Sequence, residues 1–241
     1  MVTRSIACAV LLACAGEAAA TVSGTAALTS DYVFRGVSQT NGDPAIQAGF
    51  EWTDAGFYAG GWGSNVSWLS DLSADGAKIS SSLELDAYAG YRGTLGESAT
   101  FDVGAIYYAY PGDFPSGFND ADTAEIYGAV TFSLVTVKYS YALTDLFGYV
   151  DSDGSGYLDV ALNWGFADNW TLNLHAGQQW IEGNEDFEYI DWKAGVTLGL
   201  ADGWSLAAAY LDTDADDALY TNLLGTKVAD ATAVLTLTKA F

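Results

Sequence analysis

The sequence is poor in positive charge. Lysine and arginine together number 8, against 31 aspartates and glutamates, and the net charge is −23. A chain this acidic lacks the basic face that neutralises phosphates, which excludes non-specific nucleic-acid binding. It also lacks the polybasic patch that would attach it to anionic lipid. Cysteine is confined to Cys8 and Cys14, so disulfides play no part beyond the first twenty residues. There is one histidine, His175, and no C-x-x-C, H-E-x-x-H or glycine-rich phosphate loop, which leaves no catalytic or zinc signature. Proline occurs 3 times. No stretch beyond the N-terminus is apolar for the ~20 residues that a membrane helix requires.

The N-terminus reads as a secretory leader over 1–20. Arg4 is the positive element, Ile6 to Ala15 the short apolar stretch, and Ala18-Ala19-Ala20 the cleavage site before Thr21. Leu11-Leu12-Ala13-Cys14 offers a lipoprotein reading, although Leu12 stands where such sites carry a smaller residue. The leader holds one base, Arg4, and one acid, Glu17, so its removal leaves the net charge unchanged. Residues 21–241 show no linker or repeat and form one domain.

That domain alternates with period two. In Trp170 to Ala176, Trp170, Leu172, Leu174 and Ala176 face one side, and Thr171, Asn173 and His175 the other. Twelve such segments are predicted, at 22–34, 44–54, 57–66, 80–92, 99–110, 122–133, 136–146, 156–166, 170–180, 188–200, 204–212 and 230–241. Their typical length is near the ~9–11 residues of a tilted membrane strand. Short turns at 55–56, 93–98, 134–135, 167–169 and 201–203 alternate with longer acidic loops. Lipid offers backbone groups no water, so strands can cross it only as a closed barrel. The prediction is an all-β, twelve-stranded antiparallel transmembrane β-barrel in a bacterial outer membrane, with short periplasmic turns and longer extracellular loops.

Aromatics gather at the strand ends: Trp52, Phe57, Phe101, Phe132, Trp164, Phe166, Trp170, Trp204 and Phe241 near the short turns, and Tyr32, Phe34, Trp68, Tyr110, Tyr157, Trp180, Tyr189, Trp192 and Tyr210 near the long loops. Two such belts suit the boundaries of a bilayer. A secreted soluble β-sandwich, the competing fold, would collect its rings at strand centres. Phe241, closing an alternating strand, is similar to the end by which barrel-assembly machinery recognises its clients, with Lys239 departing from the usual apolar residue.

Ser30-Asp-Tyr-Val-Phe-Arg-Gly-Val-Ser38, followed by Gln39-Thr40 and Pro44-Ala-Ile-Gln47, resembles the opening of the TorF-type porins, a family of uncharacterised bacterial outer-membrane proteins. Gly56-Phe-Tyr-Ala-Gly-Gly-Trp-Gly-Ser-Asn-Val66 and Leu235-Thr-Leu-Thr-Lys-Ala-Phe241 are similar as well. The resemblance implies a barrel with passive transport; it brings neither a defined substrate nor catalytic residues.

If the apolar faces meet lipid, parity directs Asp31, Glu51, Glu84, Asp86, Asp102, Glu125, Asp159 and Asp191 into the lumen, with Arg35, Arg92, Lys138 and Lys193 as bases. Four acids are then in excess. Asp31 and Arg35 read either as a charged constriction or as a salt bridge holding the first loop. Arg92 and Asp102 fall opposite one another across a turn. His175, diagonal to Asp159, reads as a polar lining residue. Inward Tyr88, Tyr108 and Tyr127 narrow the bore. The acidic loops at 151–159 and 212–217 look superficially like calcium loops; the first lacks the register and terminal Glu of one, and both read as solvated surface, with weak calcium binding as the alternative. The expected function is non-catalytic: passive diffusion of small polar solutes, preferring cations or zwitterions, with no cofactor and no metal. Two alternatives are a closed barrel acting as an adhesin or structural protein, and the soluble binding module.

Overall fold

The computed structural model describes residues 20–72 and 78–241. The leader expected over 1–20 therefore lies outside the described residues, apart from Ala20. Among the described residues fourteen strands form: β1 (Thr21–Thr29), β2 (Val33–Phe34), β3 (Val37–Ser38), β4 (Ala45–Asp54), β5 (Phe57–Asn65), β6 (Leu83–Leu95), β7 (Ala99–Ala109), β8 (Thr123–Phe132), β9 (Val135–Ala142), β10 (Gly156–Ala167), β11 (Trp170–Trp180), β12 (Tyr189–Gly199), β13 (Trp204–Thr213) and β14 (Thr232–Ala240). Twelve of them close into one antiparallel barrel, each paired with its sequence neighbour and β1 paired with both β4 and β14. The remaining two, β2 and β3, pair only with each other.

Alternation in sequence becomes alternation across the wall. Along β4 the outward Ile46, Phe50 and Trp52 are exposed while Gln47, Gly49 and Glu51 are partly covered. Ile46 is 71% exposed, Phe50 60% and Phe132 62%. The same apolar exposure recurs on every barrel strand, far beyond the few hundred Å² that a soluble monomer tolerates. In hydrocarbon such a surface costs nothing to expose, and closure leaves no unpaired strand edge. Among the described residues no helix is long and apolar enough to cross a membrane.

The short turns follow from local chemistry. Ala55 (φ 47°) and Gly56 (φ 90°) make the two-residue left-handed turn that matches strand twist between β4 and β5. Two turns differ slightly from expectation. Pairing of β6 with β7 continues to Leu95 and Ala99, so that turn shrinks to 96–98, and the β8–β9 turn is Ser133-Leu134. Lys239 faces outward, yet its ammonium reaches the Asp202 carbonyl at the short-turn end, beside the Trp204 and Phe241 rings. That is the snorkelling expected of a lysine stem lying along lipid.

The main departure lies at the first strand. Expected over 22–34, it ends at Thr29. The chain then turns into the barrel, and β2–β3 forms a hairpin inside the long-loop end. Tyr32 and Phe34, expected on the outer belt, are drawn inward with it. Tyr32 is buried against Trp62, and Phe34 packs edge-on to Tyr108 and Phe147. Trp68, Tyr110, Tyr157 and Tyr189 also turn inward instead of forming that belt. Six of the nine rings expected there thus do other work, because loops folding over a barrel mouth need an apolar core of their own. Trp180, Trp192 and Tyr210 do stand on the outer surface, together with Tyr107, Tyr139 and Tyr141.

Candidate functional site

The hairpin turns at Arg35 (φ 47°) and Gly36 (φ 80°). The left-handed conformation is uncommon for an arginine, so its side chain must gain enough to offset the strain. It does. Arg35 Nη2 donates to Glu125 Oε2 on β8 at 2.7 Å, Nη1 donates to Gln179 Oε1 on β11 at 3.1 Å, and the guanidinium lies 4.4 Å from the centre of the Tyr157 ring on β10. Both members of the ion pair are buried, at 7% and 2% side-chain exposure. Gly36 faces the opposite wall. A Cβ there would stand 2.5 Å from Thr213 Cγ2 and 2.7 Å from Asp191 Cβ, so only glycine fits. The hairpin thus spans the mouth from β8 to β13.

Its base is held separately. Asp31 Oδ1 accepts from Ser38 Oγ at 2.6 Å and from Thr40 Oγ1 at 3.0 Å, and Ser38 N donates to the Val228 carbonyl at 2.7 Å. Asp31 and Arg35 are therefore not partners, and neither sits on a wall strand. The two expected on one strand face instead tie down opposite ends of one loop. Above the hairpin lies a vestibule of about 320 Å³, lined by rings that include Trp68, Phe147, Tyr149 and Tyr220. Burial pushes the Tyr149 and Tyr220 phenols up, so both stay neutral.

Below the hairpin the inner wall carries the remaining charges. Glu51, Glu84, Asp86, Arg92, Asp102, Glu125, Lys138, Asp159, His175, Asp191 and Lys193 occupy the register positions that face the lumen. Arg92 grips Glu51 bidentately, at 2.6 and 3.0 Å, and reaches Asp102 at 3.1 Å across the strand pair expected from sequence. Its guanidinium stacks 3.8 Å from the centre of the Tyr58 ring. Tyr58 Oη lies 2.5 Å from Asp102 Oδ1 and 2.6 Å from Tyr127 Oη, and the Lys138 ammonium sits 4.1 Å from the centre of the Tyr127 ring. The Tyr58 and Tyr127 rings lie over Gly90 and Gly104, where any side chain would collide with them.

A second cluster centres on His175. Nε2 is 2.6 Å from Asp191 Oδ2, Nδ1 is 3.4 Å from Asp159 Oδ1, and Tyr157 Oη contacts both the ring and Asp191. Each ring nitrogen thus faces a carboxylate, and the ring lines the lumen as a polar group between them. Among the described residues Glu84 and Asp86 make no ion pair. Tyr58 and Gln179 were not singled out from sequence, and Tyr157 was expected on the outer belt, yet parity marks all three inward: Tyr157 is two residues from Asp159. Among the described residues no three or more His, Cys, Asp or Glu side chains group as metal ligands.

A lumen of paired charges inside an apolar wall, with a loop folded into its mouth, defines a porin-like barrel. Solved structures of that fold are similar across their whole length. The NanC porin matches at a TM-score of 0.55 and 9% identity, covering 91% of this chain and 98% of that one. The KdgM porin matches at 0.53 and 7%, covering 92% and 99%, and its complex with disordered oligogalacturonate at 0.55 and 8%, covering 92% and 99%. No curated protein matches the sequence. The model of the Gcw_chp family, bacterial proteins of unknown function, matches residues 13–241, and the chain belongs to that family.

Proposed function

We propose that this protein is an outer-membrane channel through which small polar solutes diffuse passively, with cations or zwitterions preferred. The observation that carries the reading is the contrast between the two faces of one wall: predominantly apolar outside, and lined inside by carboxylates, guanidinium, ammonium and phenol groups. A low-dielectric wall focuses the field of such charges on whatever passes between them. Acids outnumber bases even with His175 counted as a cation, which biases the bore toward positive solutes. The mechanism is size exclusion plus electrostatic bias, with no chemical step. Likeness to the KdgM and NanC porins and the resemblance to TorF-type porins support the class and carry no solute with them. The test is planar-bilayer conductance of the refolded chain in a salt gradient. Ohmic steps with a cation-selective reversal potential are expected, and a membrane that stays silent under all conditions overturns the reading.

One observation favours a second reading. The Arg35 hairpin lies across the mouth, and a barrel closed in this way would serve as an adhesin or structural protein through its long loops. Conductance that stays absent even after the hairpin is released would select that reading.

A further inference from the structure

Glu84 and Asp86 are two residues apart on β6, on the same inner wall beneath the hairpin. Glu84 is 2% exposed; its Oε1 accepts from Tyr32 Oη at 3.0 Å, while Oε2 has no hydrogen-bond partner. Asp86 Oδ1 is closed off and without a partner in the same way. A buried carboxylate with no counter-charge costs several kcal/mol, a cost that a proton or a bound cation removes. The wall does not supply one. No described base makes an ion pair with Glu84 or Asp86, and Arg35 is committed to Glu125. Glu84, Asp86 and Glu125, set against Arg35 and Lys138, still leave a negative excess. Tyr32, Tyr108 and Tyr110 all stand within electrostatic reach of both Glu84 and Asp86, so the surrounding donors are oxygens. All-oxygen sites without sulfur or imidazole select hard cations, and a site of irregular geometry suits calcium better than magnesium. We propose that Glu84 and Asp86 hold one divalent hard cation of the calcium class under the β2–β3 hairpin. Through the Tyr32 hydrogen bond to Glu84, the ion also fastens the base of that hairpin.

This assignment needs no conducting pore, so its test is separate from that of transport. The refolded chain is titrated in detergent with terbium(III), a luminescent calcium mimic, with excitation through indole. Trp62 lies 5.3 Å from the Tyr32 ring and Trp68 lies 5.5 Å from the Tyr110 ring, close enough to sensitise an ion held there. A saturable signal displaced by calcium is expected. It is lost in Glu84→Gln/Asp86→Asn and kept in Asp151→Asn/Asp153→Asn, which neutralises an exposed loop instead. Should the double variant fail to give the folded gel band, Asp86→Asn alone, which keeps the Glu84–Tyr32 bond, is expected to weaken terbium binding at least about tenfold through the lost ligand charge. No saturable signal in the wild type, or the same affinity in a folded variant lacking Asp86, overturns the proposal.

Discussion

Replacing Arg35 by glutamine tests what holds the hairpin in the mouth. The substitution removes the guanidinium from a pair buried at 7% and 2% exposure and leaves Glu125 facing an uncharged amide. Removing one partner of a buried pair costs about 3–5 kcal/mol, most of it the stranded charge. The barrel ladder is untouched, because Arg35 lies outside the twelve wall strands, so the cost falls on hairpin docking. At about 1.4 kcal/mol per factor of ten, the docked-to-released ratio drops by roughly two to three and a half powers of ten. Single-channel recording of Arg35→Gln should show larger or more frequent openings, shifted toward cations. Val37→Cys gives a direct readout, since the chain from Thr21 onward has no other cysteine. Maleimide labelling at that position should accelerate when Arg35→Gln is added. Arg35→Met/Glu125→Met, which strands no charge, should return labelling toward the wild-type rate. If Arg35→Gln labels and conducts as the wild type does, the ion pair is not what docks the hairpin; if the double variant stays as open as the single one, the stranded Glu125 charge is not what releases it.

Gly36→Ala should release the hairpin by a different route, since its Cβ would meet Thr213 and Asp191 at 2.5 and 2.7 Å. Labelling at Val37→Cys should rise while the Arg35 charge is kept, and an unchanged rate would mean the hairpin does not cross to β12 and β13. Arg92→Gln strands Glu51 and Asp102 in the bore. The reversal potential at low salt should move further toward cations and lose most of that shift at 1 M salt, where the Debye length is ~3 Å; a shift toward anions would refute the facing of these strands. Neutralising the acids of 212–217, at the long-loop end, should change selectivity less than Arg92→Gln does. The opposite ranking in reversal potentials would move the selective field from the lumen to the loops. Unboiled folded protein should migrate differently from the boiled sample on a detergent gel, because a closed hydrogen-bonded barrel resists unfolding until heated. Identical mobility would count against closure.

Strand number, order and facing were open to reading in the sequence because each rests on local chemistry. In a barrel the side-chain period of two maps directly onto lipid and lumen, so Trp170 to Ala176 declares its faces without any knowledge of its neighbours. Short turns such as Ala55-Gly56 fix adjacent strands as antiparallel pairs. Those pairs in turn place Arg92 opposite Asp102 and His175 diagonal to Asp159. The lumen list followed from the same parity. Parity failed where the period continued past the wall. Asp31, Val33 and Arg35 alternate as well as any strand, yet β1 stops at Thr29, because the next residues gain more by folding inward onto Trp62, Tyr108 and Glu125 than by lengthening the wall. Those partners come from β5, β7 and β8, far off in sequence, so nothing local announces them. Charge pairing was decided at the same level. Which carboxylates Arg92 and His175 each take depends on three strands meeting around a closed bore, and so does the isolation of Glu84 and Asp86. Period two determines which side of the wall a residue faces; only closure of the barrel determines whom it meets there.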